Sequence, residues 1–265
     1  MAGPRHPPPI APTAPLPVSV KQATQVLDLL DFFAQRQGPA TLTDIARHFG
    51  WPRSSTFNLL AALTARGMLY EPQARGGYYP APALATLVQR IEQAQPLPQA
   101  LQQLLRTLAD ETGETVVLAA PAGGQVLFIA ALESAQAVRY SAAPGKRIPL
   151  HATATGRALL AQMTAGERAS LLRKAPFQRH TPSTLMSADE VEQEIRRSLE
   201  RGWFEGRGEY SADLGGVALA LALPQRQLAL LVAGPVSRVG GRLDALAQLM
   251  QQQVARHLGP AQAPG

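Results

Sequence analysis

The sequence predicts an α+β protein of two domains, and three observations support this prediction. Short helical patterns followed by a hairpin pattern occupy the first third of the chain. Predicted strands and helices then alternate through the remainder, which favours a mixed, largely antiparallel sheet flanked by helices. Between the two parts stand Pro96 and Pro98, which disfavour a continuous helix.

Composition suggests further segments at the ends. Prolines crowd the first 17 residues, and such a segment cannot bury enough surface to offset the entropy lost on ordering. The expected organisation is a disordered arm at 1–17, a first domain at 18–80, a linker helix at 81–97, a second domain at 98–259 and a disordered tail at 260–265.

The first domain is predicted to hold three helices and a hairpin. Apolar residues recur at helical spacing in residues 18–35, 42–49 and 52–65. Thr43 is the expected N-cap of the second helix, Pro52 suits the first turn of the third, and Gly67 ends it. Two aromatic segments joined by a Gly-rich turn, within residues 68–79, predict a hairpin. Three helices followed by a hairpin form a winged helix-turn-helix.

The second domain is predicted from the same periodicities. Helices are expected at 101–112, 153–163, 165–174, 188–201 and 238–258. Strands are expected at 116–120, 126–132, 138–142, 214–223 and 228–236.

Charge and composition exclude several classes of site and partner. The chain has 265 residues, 46% of them hydrophobic, and a net charge of +6, which is compatible with an anionic partner such as nucleic acid. It has no cysteine, which excludes disulfides, thiolate metal sites and cysteine nucleophiles. The longest apolar stretches are too short to span a bilayer. We therefore expect no membrane partner, metal or cofactor.

The third helix carries candidate DNA-binding residues. The second helix of a helix-turn-helix enters the major groove of double-stranded DNA with its N-terminal side chains. The outward side chains at this helix start are Arg53, Ser54, Ser55, Phe57 and Asn58. Phosphate contacts are expected from three basic residues elsewhere in the domain, Lys21, Arg47 and Arg75. The alternative is a three-helix unit that docks onto protein, and the apolar Phe57 is compatible with both.

Three segments resemble one family. Residues 40–60, ATLTDIARHFGWPRSSTFNLL, closely resemble the helix-turn-helix of the IclR family of regulators. Residues 111–116, ETGETV, are similar to the opening of its effector domain, and residues 144–161, PGKRIPLHATATGRALLA, look like its most characteristic segment. The resemblance implies a cytoplasmic transcriptional regulator, a GAF-like effector domain, and a homodimer or homotetramer on a palindromic operator. Asn58 stands where the family often has arginine.

The resemblance also implies an effector site. It places the site at the loop before the helix at 153–163, at the start of that helix and at the last strands. The implied residues are Gly145, Arg147, Leu150, His151, Thr155, Gly156, Glu209, Asp213, Leu219, Leu231 and Ala233. Backbone N–H groups at the helix start suit a carboxylate. Because three strand positions are Leu or Ala rather than hydroxyl or thiol residues, the expected effector is an aromatic or largely apolar organic acid.

Two other functions, a hydrolase and a ligand sensor, are alternatives to a transcriptional regulator. A hydrolase would combine His151 with Ser141 or Ser211 and with Asp213, but the chain has no Gly-x-Ser-x-Gly or His-Glu-x-x-His motif. We therefore expect no catalytic residues. The second rival is a ligand sensor that signals through protein contacts. Activation and repression of transcription are both compatible with the sequence.

Overall fold

The computed structural model describes residues 21–73, 76–94, 97–223 and 226–259. The chain divides into two compact units, Met1–Pro96 and Leu97–Gly265. The predicted arm at 1–17 and tail at 260–265 lie outside the described residues. Within the described ranges, no helix is long and apolar enough to cross a membrane.

The first unit has the predicted three helices and hairpin. Its elements are α1 (Lys21–Arg36), α2 (Leu42–Phe49), α3 (Arg53–Ala65), β1 (Leu69–Tyr70), β2 (Tyr79–Pro80) and α4 (Pro82–Ala94). β1 and β2 pair antiparallel, with Leu69 opposite Pro80. Ala40 extends this small sheet, because its backbone exchanges hydrogen bonds of 3.0 and 2.8 Å with Tyr78.

One glycine permits that extension. Gly77 has a φ of +93°, and a Cβ on it would lie 2.6 Å from the carbonyl carbon of Ala40. No other residue type fits such a backbone approach without a shift of the chain. The hairpin is thereby held against the loop that precedes α2.

The core of the first unit joins helices α1, α2 and α3 to the hairpin. Its buried residues are Leu29, Phe32, Phe33, Ala40, Ile45, Leu60 and Leu69. Phe49 and Trp51 stack beside it with ring centroids 4.2 Å apart. The amphipathic pattern of each helix therefore faces one shared interior.

The second unit is built on a six-stranded sheet. Its strands are β3 (Thr115–Ala122), β4 (Gln125–Leu132), β5 (Arg147–Pro149), β6 (Phe204–Arg207), β7 (Leu214–Leu223) and β8 (Arg226–Pro235). They lie in the order β5-β4-β3-β8-β7-β6. Every neighbouring pair is antiparallel.

Helices cover both faces of this sheet. They are α5 (Gln99–Thr112), α6 (Ala154–Leu160), α7 (Ala165–Lys174), α8 (Ala188–Arg201), α9 (Val236–Val239) and α10 (Leu243–Leu258). α5 and α10 pack on one face, and α6 and α8 pack on the other. The predicted α+β class, with a winged helix-turn-helix and a flanked antiparallel sheet, is confirmed.

Two predicted elements of the second unit are wrong. Residues 138–142 form no strand. Their backbone bonds go to side chains instead, since Thr115 Oγ1 donates to the carbonyl of Tyr140 at 2.7 Å and the amide of Ala142 donates to Glu133 Oε1 at 2.8 Å. The helix predicted at 238–258 is divided into α9 and α10 by Gly240-Gly241. A Cβ on Gly240 would lie 2.6 Å from the carbonyl oxygen of Val236.

Strands β5 and β6 were not predicted. They have three and four residues, too few to show an apolar alternation. The helix predicted at 153–163 is α6, which ends at Leu160.

A close backbone contact fixes α6 against the loop that precedes it. A Cβ on Gly156 would lie 2.1 Å from the carbonyl oxygen of Leu150 and 2.5 Å from its Cα. Backbone atoms cannot move aside as the end of a flexible side chain can. Gly156 is therefore required by packing.

Gly156→Ala should destabilise the second unit by about 2 kcal/mol or more, because the added methyl forces the backbone apart. Chemical unfolding followed by circular dichroism measures this loss. Gly166→Ala in the first turn of α7 is the matched control, since nothing lies within 4 Å of the added Cβ there. Equal stability of the two variants would contradict the packing role of Gly156.

Candidate functional site

A capping box starts α2. The N-cap is Thr41, whose Oγ1 accepts from the amide of Asp44 at 3.2 Å, while Asp44 Oδ2 accepts from the amide of Thr41 at 3.1 Å. The hydroxyl of Thr41 also donates to Asp44 Oδ2 at 2.8 Å, and this bond, followed by the one from the Thr41 amide, holds the pKa of the Asp44 carboxyl below its ordinary value. The prediction of Thr43 as N-cap was wrong because α2 begins one residue before Thr43.

Gly50 makes the turn between α2 and α3. Its φ is +66°, and both it and Trp51 donate backbone N–H bonds to the carbonyl of Ala46. A left-handed residue at this position is the ordinary end of a helix before a sharp turn. α3 then begins at Arg53 and crosses α2 at the shared core.

The outward face at the start of α3, residues 53–58, is polar except at one position. Thr56 and Leu60 are buried against the core. All five residues predicted to contact bases are exposed, namely Arg53, Ser54, Ser55, Phe57 and Asn58. The exception is Phe57, whose side chain is 53% exposed.

A side-chain contact links the two helices on their outer side. Arg53 Nη1 donates to Thr43 Oγ1 at 3.0 Å. Lys21 and Arg47 are also exposed in this unit. Arg75 lies outside the described residues.

A cavity of about 40 Å³, partly open to solvent, lies in the second unit. It is lined by the start of α6, the connection before β7 and the facing side of the sheet. The lining residues are Tyr140, Ile148, Ala152, Thr153, Ala154, Thr155, Gly206, Glu209, Tyr210, Leu214, Gly215, Gly216, Leu231 and Ala233. Most of this wall is apolar.

Two phenols and a hydroxyl are the neutral polar groups that face the cavity without an intramolecular partner in the described part of the chain. Burial raises the pKa of Tyr140 and that of Tyr210 above the ordinary value. Both phenols therefore remain protonated at neutral pH and can donate. Thr155 adds a hydroxyl at the start of α6.

Glu209 is the charged residue of the lining, and its carboxylate is fully engaged. Arg157 Nη2 donates to Oε1 at 3.0 Å, and the amide of Arg207 donates to Oε2. The guanidinium of Arg157 is completely buried beneath this wall. No group of three or more His, Asp or Glu side chains that could hold a metal ion occurs among the residues that the structure describes.

Two family models match the chain. The model described as "Bacterial transcriptional regulator IclR C-terminal" matches residues 89–258. The "IclR helix-turn-helix domain" matches residues 23–72. The chain belongs to the IclR family. As an IclR-type protein it is a DNA-binding transcriptional regulator with a C-terminal effector-binding domain, as its sequence motifs predicted.

Curated relatives agree with this assignment. The acetate operon repressor of Salmonella typhimurium is 30% identical over 236 residues, which are 87% of this chain and 86% of that protein. The transcriptional repressor IclR of Escherichia coli is 28% identical over the same share of each chain.

Solved structures share the fold. IclR of Thermotoga maritima has a TM-score of 0.71 at 18% identity, with 91% of this chain and 100% of that chain covered. An IclR homolog of Microbacterium hydrocarbonoxydans, complexed with 4-hydroxybenzoate, has a TM-score of 0.67 at 22% identity, with 89% and 100% covered.

The structure of this IclR-family chain brings four of the predicted effector residues together. Thr155, Glu209, Leu231 and Ala233 line the cavity. Two lining residues that sequence analysis missed are Tyr140 and Tyr210. Tyr140 lies in the segment that was predicted as a strand, where an alternating pattern gives no sign of a cavity.

The other predicted effector residues do not line the cavity. They are Gly145, Arg147, Leu150, His151, Gly156, Asp213 and Leu219. Leu219 faces the opposite side of the sheet, where it packs with Leu230 and Val232 under α5 and α10. Side chains alternate along a strand, so its neighbour Ala218 faces the α6 side instead.

Arg147 and Gly145 serve the sheet edge in this IclR-family chain. Arg147 is exposed, and its Nη1 donates to the carbonyl of Ala122 at 3.2 Å. The amide of Gly145 donates to the carbonyl of Phe128 at 2.8 Å. Asp213 is exposed, and its carbonyl accepts from the amide of Val236. Neither charged side chain reaches the cavity.

His151 is engaged within the second unit of this IclR-family chain. It is buried, and Nε2 donates to the carbonyl of Gln178 at 3.1 Å. Burial lowers its pKa, so the ring is neutral at neutral pH. The hydroxyl of Ser141 donates to Glu133 Oε1 at 2.9 Å instead of meeting His151. The hydrolase alternative therefore has no His151–Ser141 pair to rest on.

Thr41→Ala should destabilise α2 by about 1 kcal/mol, because an orphan amide of the first turn loses its acceptor. Thr43→Ala is the matched control and should leave α2 nearly unchanged. Amide hydrogen exchange across residues 42–49 in the full chain compares the two. Faster exchange in the Thr43 variant than in the Thr41 variant would restore Thr43 as the cap.

Proposed function

We propose that this regulator binds a palindromic operator through the first turns of α3. The exposed hydroxyls, amide and guanidinium of this face suit base edges and phosphates, since Asn pairs with adenine and Arg with guanine. Lys21, Arg47 and Arg75 supply phosphate contacts that position the unit without reading sequence.

We propose that the chain binds its operator as a homodimer or homotetramer. Palindromic sites mirror the two-fold symmetry of their protein. Three apolar side chains of α4, Leu87, Val88 and Ile91, are 40%, 49% and 64% exposed, and pairing of copies would cover them. In this proposal residues 81–97 are the linker, and residues 98–259 bind the effector and hold the oligomer together.

Arg53→Ala should weaken specific operator binding by about 10- to 100-fold, because one bidentate base contact is lost. Genomic fragments captured by the purified protein at moderate salt, then sequenced, identify the operator. Arg173→Ala, an exposed arginine of α7 in the second unit, is the control and should capture the same fragments.

The salt dependence of binding distinguishes operator binding from docking onto a protein. Operator binding releases counterions, so affinity should fall steeply as salt rises. The exposure of Phe57 is compatible both with operator binding and with the rival, a sensor that docks onto protein. Random fragment recovery together with salt-independent behaviour would select that rival.

The effector in this proposal is a small aromatic or largely apolar organic acid. The observation that carries it is a cavity whose wall is mostly apolar and whose free polar groups are the phenols of Tyr140 and Tyr210 and the hydroxyl of Thr155. Such walls orient a ligand with few polar anchors while its apolar part supplies affinity. The 4-hydroxybenzoate complex of the Microbacterium hydrocarbonoxydans homolog supports this class.

Calorimetry with benzoate, 4-hydroxybenzoate and glyoxylate tests the effector class. The two aromatic acids should bind more tightly than glyoxylate, which cannot use the apolar wall. Ala233→Leu should abolish aromatic binding, because the larger side chain fills the cavity, while circular dichroism confirms its fold. Tight glyoxylate binding to the wild type would overturn the aromatic class.

The same ligands decide the direction of regulation. A ligand changes operator affinity only through its different affinities for two arrangements of the protein. Operator titrations with and without bound ligand measure the sign and size of that difference. Release from the operator means induction if the chain represses and loss of activation if it activates, while tighter binding means corepression or activation.

A further inference from the structure

The part of the cavity wall that carries Glu209 and Tyr210 belongs to no strand. It is the connection between β6 and β7, residues 208–213. Sheet hydrogen bonds therefore do not fix its two inward-facing residues. Other groups must satisfy its backbone, since buried carbonyls are almost always paired.

Two buried threonines satisfy those carbonyls. Thr181 Oγ1 donates to the carbonyl of Gly208 at 2.7 Å. Thr184 Oγ1 donates to the carbonyl of Glu209 at 2.7 Å. Both threonines are at least nine-tenths buried, and they lie in the connection between α7 and α8.

The hydroxyls are themselves oriented. Thr184 Oγ1 accepts from the amides of His180 and Thr181 at 3.0 and 2.8 Å. Thr181 Oγ1 accepts from the amide of Ser183 at 3.2 Å. A hydroxyl has one proton, and acceptance from these amides directs that proton toward the wall carbonyl.

A ring contact joins the same two segments. The rings of His180 and Tyr210 lie 5.2 Å apart between centroids. Tyr210 is thus held on its backbone side by the threonines and on its ring by His180. Together these contacts place its phenol at the cavity.

We propose that Thr181 and Thr184 are positioning residues for the effector cavity, which set Glu209 and Tyr210 by binding the wall backbone. This inference rests on the proposed function of the cavity. It predicts that loss of either hydroxyl loosens the wall and weakens effector binding without unfolding the sheet, because neither threonine belongs to a strand.

The experiment compares Thr181→Val, Thr184→Val and Thr184→Ser in the full chain. Amide hydrogen exchange across residues 208–213 should accelerate about tenfold in each valine variant, since each leaves a wall carbonyl unpaired. The serine variant keeps its hydroxyl and should exchange like the wild type. Thr164→Val is the matched control, because that exposed hydroxyl caps α7 and does not touch the wall.

Calorimetry with benzoate is the second measurement. The valine variants should bind it about tenfold more weakly, while Thr184→Ser and Thr164→Val retain wild-type affinity. Unchanged exchange and unchanged affinity in both valine variants would overturn the proposal. So would loss of rescue by serine, which would indicate a packing role for the methyl group.

The measurements distinguish failure of the proposed effector class from failure of the proposed role of the threonines. Absence of benzoate binding to the wild type counts against the effector class, and the exchange rates still decide whether the threonines hold the wall. Normal wild-type binding with unaffected variants counts only against the threonines. A valine variant with a cooperative unfolding transition far below that of Thr164→Val would contradict the separation of this contact from the core.

Discussion

The burial of Arg157 constrains much of the second unit. Its guanidinium is a fully buried charge, so it requires a negative partner nearby. That partner is Glu209, at 3.0 Å, and the same Nη2 donates to the carbonyl of Glu205. One arginine on α6 therefore ties the helix to β6 and to the cavity wall. Its Nε and Nη1 have no partner within the described residues, so the single pair with Glu209 carries the compensation.

The ion pair between Arg157 and Glu209 also neutralises the charged group in the cavity lining. A free carboxylate in the lining would repel an organic acid. Glu209 is instead balanced by the buried guanidinium and holds the amide of Arg207 with its other oxygen. In the proposed function, recognition of an acid then falls to neutral donors, the two phenols and Thr155. Burial raises the pKa of both tyrosines further above neutral pH, so their phenols keep their protons.

Features encoded within one element could be predicted from the sequence. Strand β7 has its predicted bounds, and helices α7 and α8 do as well. The exposed face of α3 follows from the same helical period, because its buried side is marked by Thr56 and Leu60. Prediction of an exposed polar face on one helix, the proposed DNA-binding face, needs no knowledge of distant contacts.

Features that depend on contacts between several elements could not be predicted from the sequence. Alternation along β7 shows that Ala218 and Leu219 face opposite sides, but local pattern does not say which side holds the cavity. Tyr140 was missed because its segment is held by Thr115 and Glu133 side chains, which a strand pattern cannot reveal. Glycines marked turns correctly, yet Gly156 is required by the backbone of Leu150, which is a tertiary reason.

The cavity thus combines a rigid side and a side held by hydroxyls. Leu231 and Ala233 lie on a central strand paired on both edges, so their positions are set by the sheet. Tyr210 and Glu209 lie on a connection whose backbone is bound by threonine side chains. Because a few hydroxyl bonds are weaker than a strand ladder acting together, the proposed effector should displace this second side more easily than the first. The buried ion pair limits that movement to arrangements in which Glu209 stays with Arg157.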